Sequence, residues 1–297
     1  MSQGKKLSDV LSSEELRTFQ QKSNLHATIT LLWNWLVIFT AFAMVVVWPN
    51  PLTVIVGILL LAGRHQGLGV IMHDCAHHAF FKNKSMDDFV GQWLCGVPMN
   101  ADMYAYRAYH LNHHKHAGTP EDPDIGFVRK YPVTRASIKR KFIRDFTGQT
   151  AFRDQLMRLK AFKLSKQWPW LVFHCSLLAL LIWVGAGWAY LMWWVAELFI
   201  YPAIARLRQI GEHGVAENRS EQNARLNTGT TILPWWQKLL IAPNNVGYHV
   251  EHHMLASIPP YNLRRLHELL KERGYFDGYD CIAYGYGQVL RRAVQAS

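Results

Sequence analysis

Nine of the 15 histidines of this chain fall into three short clusters. Their sequences are His73-Asp-Cys-Ala-His77-His78, His110-Leu-Asn-His113-His114 and His249-Val-Glu-His252-His253. Because residues three and four apart share one face of a helix, the second and third clusters each present three imidazoles together. Neutral imidazole binds iron, copper, nickel and zinc. The clusters therefore predict a metal centre without naming its metal.

The number of histidines indicates more than one metal ion. A structural zinc site closes at four ligands, whereas eight to ten candidate ligands suggest two ions, each with an open position. His78 is the weakest candidate, because it points about 100° away from the helix face shared by His73 and His77.

Four apolar segments precede or separate these clusters, at about residues 26–48, 52–72, 168–184 and 188–205. The first is long enough to cross a hydrocarbon core of about 30 Å. The short turns at 49–51 and 185–187 join the segments into two hairpins. We expect an all-α integral membrane protein with four transmembrane helices.

Lysine and arginine mark one side of the membrane. Apart from Arg64 within the second segment, all of them lie before the first hairpin, between the hairpins or after the second hairpin. The positive-inside rule then predicts cytoplasmic termini and a cytoplasmic helical cap that holds the metal site, with all three clusters on that side. The expected location is a bacterial inner membrane.

The remaining segments divide the chain into an N-terminal amphipathic segment (1–25), a membrane domain (26–275) and a C-terminal tail (276–297). A short helix is predicted near residues 12–21, capped by Ser12 or Ser13, and an interfacial or re-entrant helix at 86–99. In the helix that follows Pro259-Pro260, His267 is expected to be exposed or to cap the helix. His65, about 80° off the His73 face, is expected to be structural.

The formal net charge of +11 has two explanations. Basic residues on one side of a membrane attract anionic lipids. They also suit docking of an acidic redox partner. No motif suggests nucleic-acid binding, and the four scattered cysteines suggest reduced thiols without an iron–sulfur cluster.

The three clusters together resemble the histidine boxes of the membrane fatty acid desaturase and hydroxylase superfamily. Residues 110–124 and 243–253 resemble its acyl-chain desaturase branch, and the likeness covers about residues 26–275. By this resemblance two iron ions would be held by histidines of the boxes and by one further histidine after the last span. The ligands it implies are His73, His77, His78, His110, His113, His114, His213, His249, His252 and His253.

The sequence of this chain departs from the family pattern at one position. Some relatives have an asparagine, four residues before the further histidine, that holds a water near one iron, and here that position is Gln209. Ligating imidazoles usually donate their second N–H to a carboxylate or carbonyl. The candidates for this role are Asp74, Asp122, Asp124, Glu212 and Glu251.

The activity implied is O2-dependent desaturation of a fatty acyl chain carried on a lipid, coenzyme A, an acyl carrier protein or a free acid. Two electrons would come from a separate ferredoxin or cytochrome with its reductase, because no haem-binding His-Pro-Gly-Gly segment is present. The alternatives that share the metal site are a lipid or carotenoid hydroxylase or ketolase, and a decarboxylase that makes terminal alkenes. A metal transporter is a remote alternative, since its ligands should lie near mid-membrane.

Overall fold

The computed structural model describes residues 5–295, so residues 1–4 of the predicted N-terminal segment and 296–297 of the predicted tail lie outside it. The described chain is largely helical. Helices of the N-terminal half are α1 (Leu7–Val10), α2 (Ser13–Phe19), α3 (Asn24–Val47), α4 (Pro51–Ala76), α5 (Lys84–Phe89), α6 (Met103–His116), α7 (Ile125–Val128) and α8 (Arg135–Phe146).

Helices of the C-terminal half are α9 (Gln149–Lys160), α10 (Leu164–Trp183), α11 (Tyr190–Val195), α12 (Tyr201–Gln209), α13 (Ala224–Asn227), α14 (Trp235–Leu240), α15 (His249–Met254), α16 (Pro260–Glu272) and α17 (Gly285–Arg292). Turns of π-helix lie at Val90–Gly96, Ala196–Ile200 and Ile210–Gly214, and turns of 3₁₀-helix at Val97–Met99 and Gly187–Ala189. These turns extend or join the neighbouring helices.

Among residues 5–295, three helices are long and apolar enough to cross a membrane. They are α3, α4 and the nearly continuous helix Gly187–Gly214, with mean hydropathies of 2.1, 1.7 and 1.2. They correspond to the first, second and fourth predicted spans. The third predicted span lies within α10, a helix of 20 residues that does not join this group.

The apolar core between these helices explains their arrangement. Leu31 and Phe42 of α3, Leu61 and Leu68 of α4 and Trp193 of α11 are all buried in one cluster. The outer faces of α3 and α4 instead expose large apolar side chains, as lipid-facing helices do. Asn50 caps the start of α4 by accepting from the N–H groups of Leu52 and Thr53.

The described residues contain one small sheet, which the all-α prediction did not include. Strand β1 (Thr230–Ile232) pairs in parallel with β2 (Ile282–Tyr284), with Thr231 opposite Ala283. Helix α17 follows β2 directly, and its Val289 is buried in a cluster with Ile210. Much of the segment predicted as a tail therefore packs beside the helix that carries His213.

The predicted N-terminal helix forms as α2, with Ser12 as its cap. The Ser12 hydroxyl accepts from the Glu15 N–H and the Glu15 carboxylate accepts from the Ser12 N–H, which is a capping box. Leu16 and Phe19 pack on the cluster that contains Leu266 and Leu270 of α16. Helix α2 thus docks on the C-terminal part of the protein.

Candidate metal centre

The first histidine box lies where α4 ends. The helix continues beyond the predicted span to Ala76, so that it carries buried His73 directly. His77 follows as the C-terminal cap, and His78 adopts a left-handed backbone conformation with φ of 51°. This change of direction turns His78 away from the neighbouring histidines, towards Asp87 and Asp88.

The second box lies on α6. Asp102 begins this helix by accepting from the N–H groups of Tyr104 and Ala105. The predicted spacing then places His110, His113 and His114 on one side, with the first two buried.

The third box forms the short helix α15, and the additional histidine lies in a π-helical turn. His213 is buried in Ile210–Gly214, which continues α12. A π-helical turn inserts one residue into a helix and is frequent at functional sites. His249 and His252 are buried as well.

Together these elements bring the histidines into two adjoining clusters. In the first, the ligand atoms of His73, His77, His110, His114 and His252 all lie within 4.8 Å of one another. In the second, the same holds for His113, His213 and His253, and the Nε2 atom of His249 lies 3.1 Å from Nε2 of His213. The rings of His114 and His253 stack at 4.1 Å between centroids, which joins the two clusters.

Carboxylates orient several of these rings. Asp74 Oδ1 lies 2.9 Å from His73 Nδ1, and Asp122 Oδ1 lies 2.7 Å from His113 Nδ1. Asp124 Oδ2 is 3.7 Å from the same nitrogen of His113. Glu212 accepts from Arg208 at 2.6 Å, and its second oxygen lies 3.8 Å from His249 Nε2.

Glu251 has a different place from the one predicted. Its carboxylate lies 2.5 Å from Nδ1 of His267 and accepts from the Thr230 hydroxyl at 2.6 Å. The prediction that His267 is exposed or a cap was wrong, because its side chain is buried beneath α15. The sequence held a signal, since His267 shares a helix face with Leu263 and Leu270.

The ring nitrogens that face the cluster centres fit metal ions. Carboxylates and carbonyls only accept, so His113 Nδ1 must donate to Asp122 and His213 Nδ1 to the Asn227 carbonyl, 3.3 Å away. The Nε2 atoms of both rings then present lone pairs to each other at 3.2 Å. Such a contact is repulsive unless a cation lies between them. Two nitrogens at about 2.1 Å from one ion would be separated by about 3 Å.

Burial favours the neutral form of several rings in both clusters. It lowers the pKa of His110 and of His252 well below the usual value of 6.5, and neighbouring imidazoles lower them further. Burial, followed by the nearby Arg107 guanidinium, lowers the pKa of His77 from 6.5 to about 4. The Nε2 atoms of His73, His77 and His253 are buried without a hydrogen-bond partner among the described residues. Neutral, unpartnered imidazoles are the state in which histidine binds metals.

A cavity of about 440 Å³ opens beside the clusters. Four histidines of the two clusters line this cavity, namely His110, His113, His213 and His249. Gln209 lines it too, on the helical turn before His213. A second cavity of about 240 Å³ shares Tyr106, Arg158, Glu197, Tyr201 and Arg208 with the first. The two cavities adjoin along these residues, and the second also reaches His65 and Met72 of α4.

Comparison with known proteins identifies the scaffold. The family model described as "Fatty acid desaturase" matches residues 49–285. The sn-1 oleoyl-lipid 12-desaturase of Synechocystis sp. is 29% identical over an alignment of 231 residues that covers 69% of this chain and 65% of that protein. The dihydrorhizobitoxine desaturase of Bradyrhizobium elkanii is 23% identical over 84% of this chain and 74% of its own length.

A third relative is the sn-1 acyl-lipid omega-3 desaturase (ferredoxin) of Nostoc sp., 25% identical over 69% of this chain and 63% of that protein. The chain thus spans just under two thirds of the length of the Synechocystis and Nostoc relatives. The family match, by contrast, covers most of the chain and includes all three histidine boxes. The chain belongs to the fatty acid desaturase family.

Proposed function

We propose that this chain is a membrane-bound oxidoreductase that uses O2 and two external electrons to desaturate a fatty acyl chain. The observation that carries the proposal is the convergence of nine histidines from four separate parts of a desaturase-family scaffold into two adjoining clusters. Two of the three relatives described above are named for lipid substrates. The domain responsible is the segment 26–275.

We assign the metal ligands by position in the two clusters. His73, His77, His110, His114 and His252 would hold one iron, and His113, His213, His249 and His253 the other. His78 is left out because it faces Asp87 and Asp88. Imidazole does not distinguish iron from other metals, so the choice of two irons follows the family.

The residues around the clusters then have defined tasks. A pair of irons, when bound, supplies the O2-dependent oxidation of an unactivated C–H bond. Asp74 and Asp122 hold His73 and His113 in the tautomer that leaves Nε2 free for metal. The cavity beside His110 and His213 admits the carbon chain and orients it.

For the membrane arrangement we propose four spans, with α10 as the third. Its 20 residues would be about 30 Å long, enough for a hydrocarbon core. Both hairpin turns then lie on the periplasmic side of a bacterial inner membrane. The termini, α6 and α15 lie on its cytoplasmic side. The basic residues between the hairpins then face the cytoplasm.

A separate electron donor completes the proposal. One relative is named as using ferredoxin. Helix α8 exposes Arg135, Lys139, Arg140 and Arg144, and the chain carries a net charge of +11. An acidic ferredoxin or cytochrome would be attracted to this helix, with an association rate that falls as the salt concentration rises.

The test is expression in a bacterium without an O2-dependent desaturase, with a ferredoxin and its reductase supplied. The parent protein is compared with His113→Ala and with His116→Ala, whose imidazole is on the same helix but outside both clusters. We expect new unsaturated acyl chains, detected by mass spectrometry of total lipids, from the parent and His116→Ala only. Hydroxylated or ketonic lipids would identify a hydroxylase or ketolase instead, and terminal alkenes a decarboxylase. The absence of any O2-dependent product would refute the proposal.

A further inference from the structure

The second cavity, which we call the inner cavity, is lined by a buried pair of polar side chains. His65 of α4 has no exposed surface, and Glu197, in the π-helical turn after α11, is 7% exposed. His65 Nδ1 lies 3.1 Å from Glu197 Oε2. Both belong to helices long and apolar enough to span a membrane, where ionisable groups are costly and usually functional.

The pair lacks the hydrogen bonds that such burial normally requires. Neither ring nitrogen of His65 nor Oε2 of Glu197 has an aligned partner among residues 5–295. Their surroundings are aromatic, with the Trp193 ring 4.3 Å and the Tyr201 ring 6.3 Å from the imidazole. Buried polar groups without partners cost free energy, so an additional partner is expected.

Both residues line cavities that lie beside the metal centre. Glu197 lines both cavities, and His65 lines the inner one. Along α4, His65 precedes His73 by eight residues, or about 12 Å. A chain that passes the histidines and enters the inner cavity would therefore bring its far end to this pair.

The other two charged residues of the inner cavity, Arg158 and Arg208, already have partners. Arg158 donates to the carbonyls of Met99 and Asn100, at 2.7 and 3.1 Å. Arg208 donates to Glu212 at 2.6 Å. Among the described residues that line the inner cavity, the buried side-chain atoms left without a partner belong to His65 and Glu197.

The chemistry of the pair selects one kind of group. A carboxylate accepts a hydrogen bond and a neutral imidazole can donate one, so a hydroxyl satisfies both at once. A methyl terminus satisfies neither, and a site built for a hydroxyl rejects the analogue that lacks it.

We propose that the pair His65–Glu197 binds a hydroxyl at the far end of the substrate, so that the preferred substrate is a hydroxyl-bearing acyl chain. This proposal rests on the proposed function, because it assumes an acyl chain in the cavity beside the histidines. It goes further by naming the group that the inner end of the cavity recognises.

Binding tests the proposal separately from catalysis. The full chain in lipid nanodiscs is titrated with pairs of radiolabelled fatty acids of equal length, one ending in methyl and one in an ω-hydroxyl, across a series of lengths. At one or more lengths we expect the hydroxy acid to bind about tenfold more tightly, the effect of one well-placed hydrogen-bonding group.

Variants identify the residues responsible. Glu197→Leu should abolish or reverse the preference for the hydroxy acid, whereas Glu197→Gln, which still hydrogen-bonds, should keep part of it. Glu272→Gln, an exposed change on α16, should behave like the parent. Equal binding of both acids by the parent at every length would overturn the proposal, whether or not Glu197→Leu folds. Desaturation of plain chains with no hydroxyl preference would overturn this inference and leave the proposed function standing.

Discussion

The carboxylate of Asp122 holds the His113 ring in one orientation, through a contact of 2.7 Å between two buried side chains. Asp122→Asn replaces an acceptor by an amide that can also donate, so the ring is no longer fixed with Nε2 free. Changing such a partner typically lowers metal affinity or activity by about 10–100-fold. We expect a comparable loss of iron affinity, measured as iron retained per chain during titration with a chelator.

The neighbouring residue provides a matched control for this change. Glu121 is exposed and contacts neither cluster, so Glu121→Gln should retain iron as the parent does. Equal iron retention in Asp122→Asn and Glu121→Gln would show that Asp122 does not orient a ligand.

His267 is the second residue whose contacts make a prediction. With Thr230 it satisfies both oxygens of Glu251, a carboxylate with no exposed surface in the middle of the third histidine box. His267→Leu leaves one of those oxygens unpaired and should destabilise the protein by about 3 kcal/mol. The measurement is thermal unfolding in detergent, with Arg264→Ala on the exposed face of α16 as a variant expected to unfold like the parent.

At the residue scale, spacing predicted that the second and third boxes would each present three imidazoles together, but not how those imidazoles divide between the two clusters. Spacing also made His78 the weakest candidate, but it could not show the left-handed backbone at the end of α4 that turns His78 towards Asp87 and Asp88. Nor could it predict that Glu251 meets His267, since that contact needs α15 to pack on α16.

Helix α2 is joined to α16 by an ion pair whose strength should depend on pH. Arg273 donates to both oxygens of Glu15, at 2.6 and 2.9 Å. This hydrogen bonding, aided by the capping contacts of Ser12, lowers the Glu15 pKa from 4.5 to about 2. Because the pKa is lowered in the folded state, the stabilisation is fully present above pH 4.5 and is lost as pH falls towards 2.

The corresponding measurement compares Tm across this pH range. The difference between the parent and Glu15→Gln should be constant above pH 4.5 and shrink steadily below it. Glu14→Gln changes an exposed residue of the same helix and should show no such trend. A Glu15→Gln difference that does not change with pH would mean that the ion pair does not hold α2 in place.

Elements with a strong local signal were predicted well. The capping residue and the acidic first turn located α2, and continuous apolar sequence located α3 and α4. The sheet β1–β2 was missed because its strands have three residues each and lie 50 positions apart. Such pairing depends on the fold that surrounds the strands and leaves little periodicity to detect.

At the scale of the whole molecule, the histidine boxes meet only if their elements lie on one side of the membrane. The positive-inside rule predicts that this side is the cytoplasm, and the prediction requires α10 to cross the membrane. If it crosses, four spans return the C-terminal domain to the side of the N-terminus. If it does not cross, three spans place the C-terminal domain on the side opposite the N-terminus. Helix α15 would then lie across the membrane from the histidines of α4 and α6, and the three boxes could not form one centre.

Single cysteines at exposed positions distinguish these arrangements. Pro49→Cys places a thiol in the first hairpin turn and Val184→Cys places one directly before the second. Lys130→Cys and Glu272→Cys place thiols in the central and C-terminal segments. We expect a membrane-impermeant maleimide to label the first pair in intact cells and the second pair only after permeabilisation. The parent protein controls for its exposed Cys175. Labelling of Glu272→Cys in intact cells would contradict four spans, because the third histidine box would then lie across the membrane from the other two.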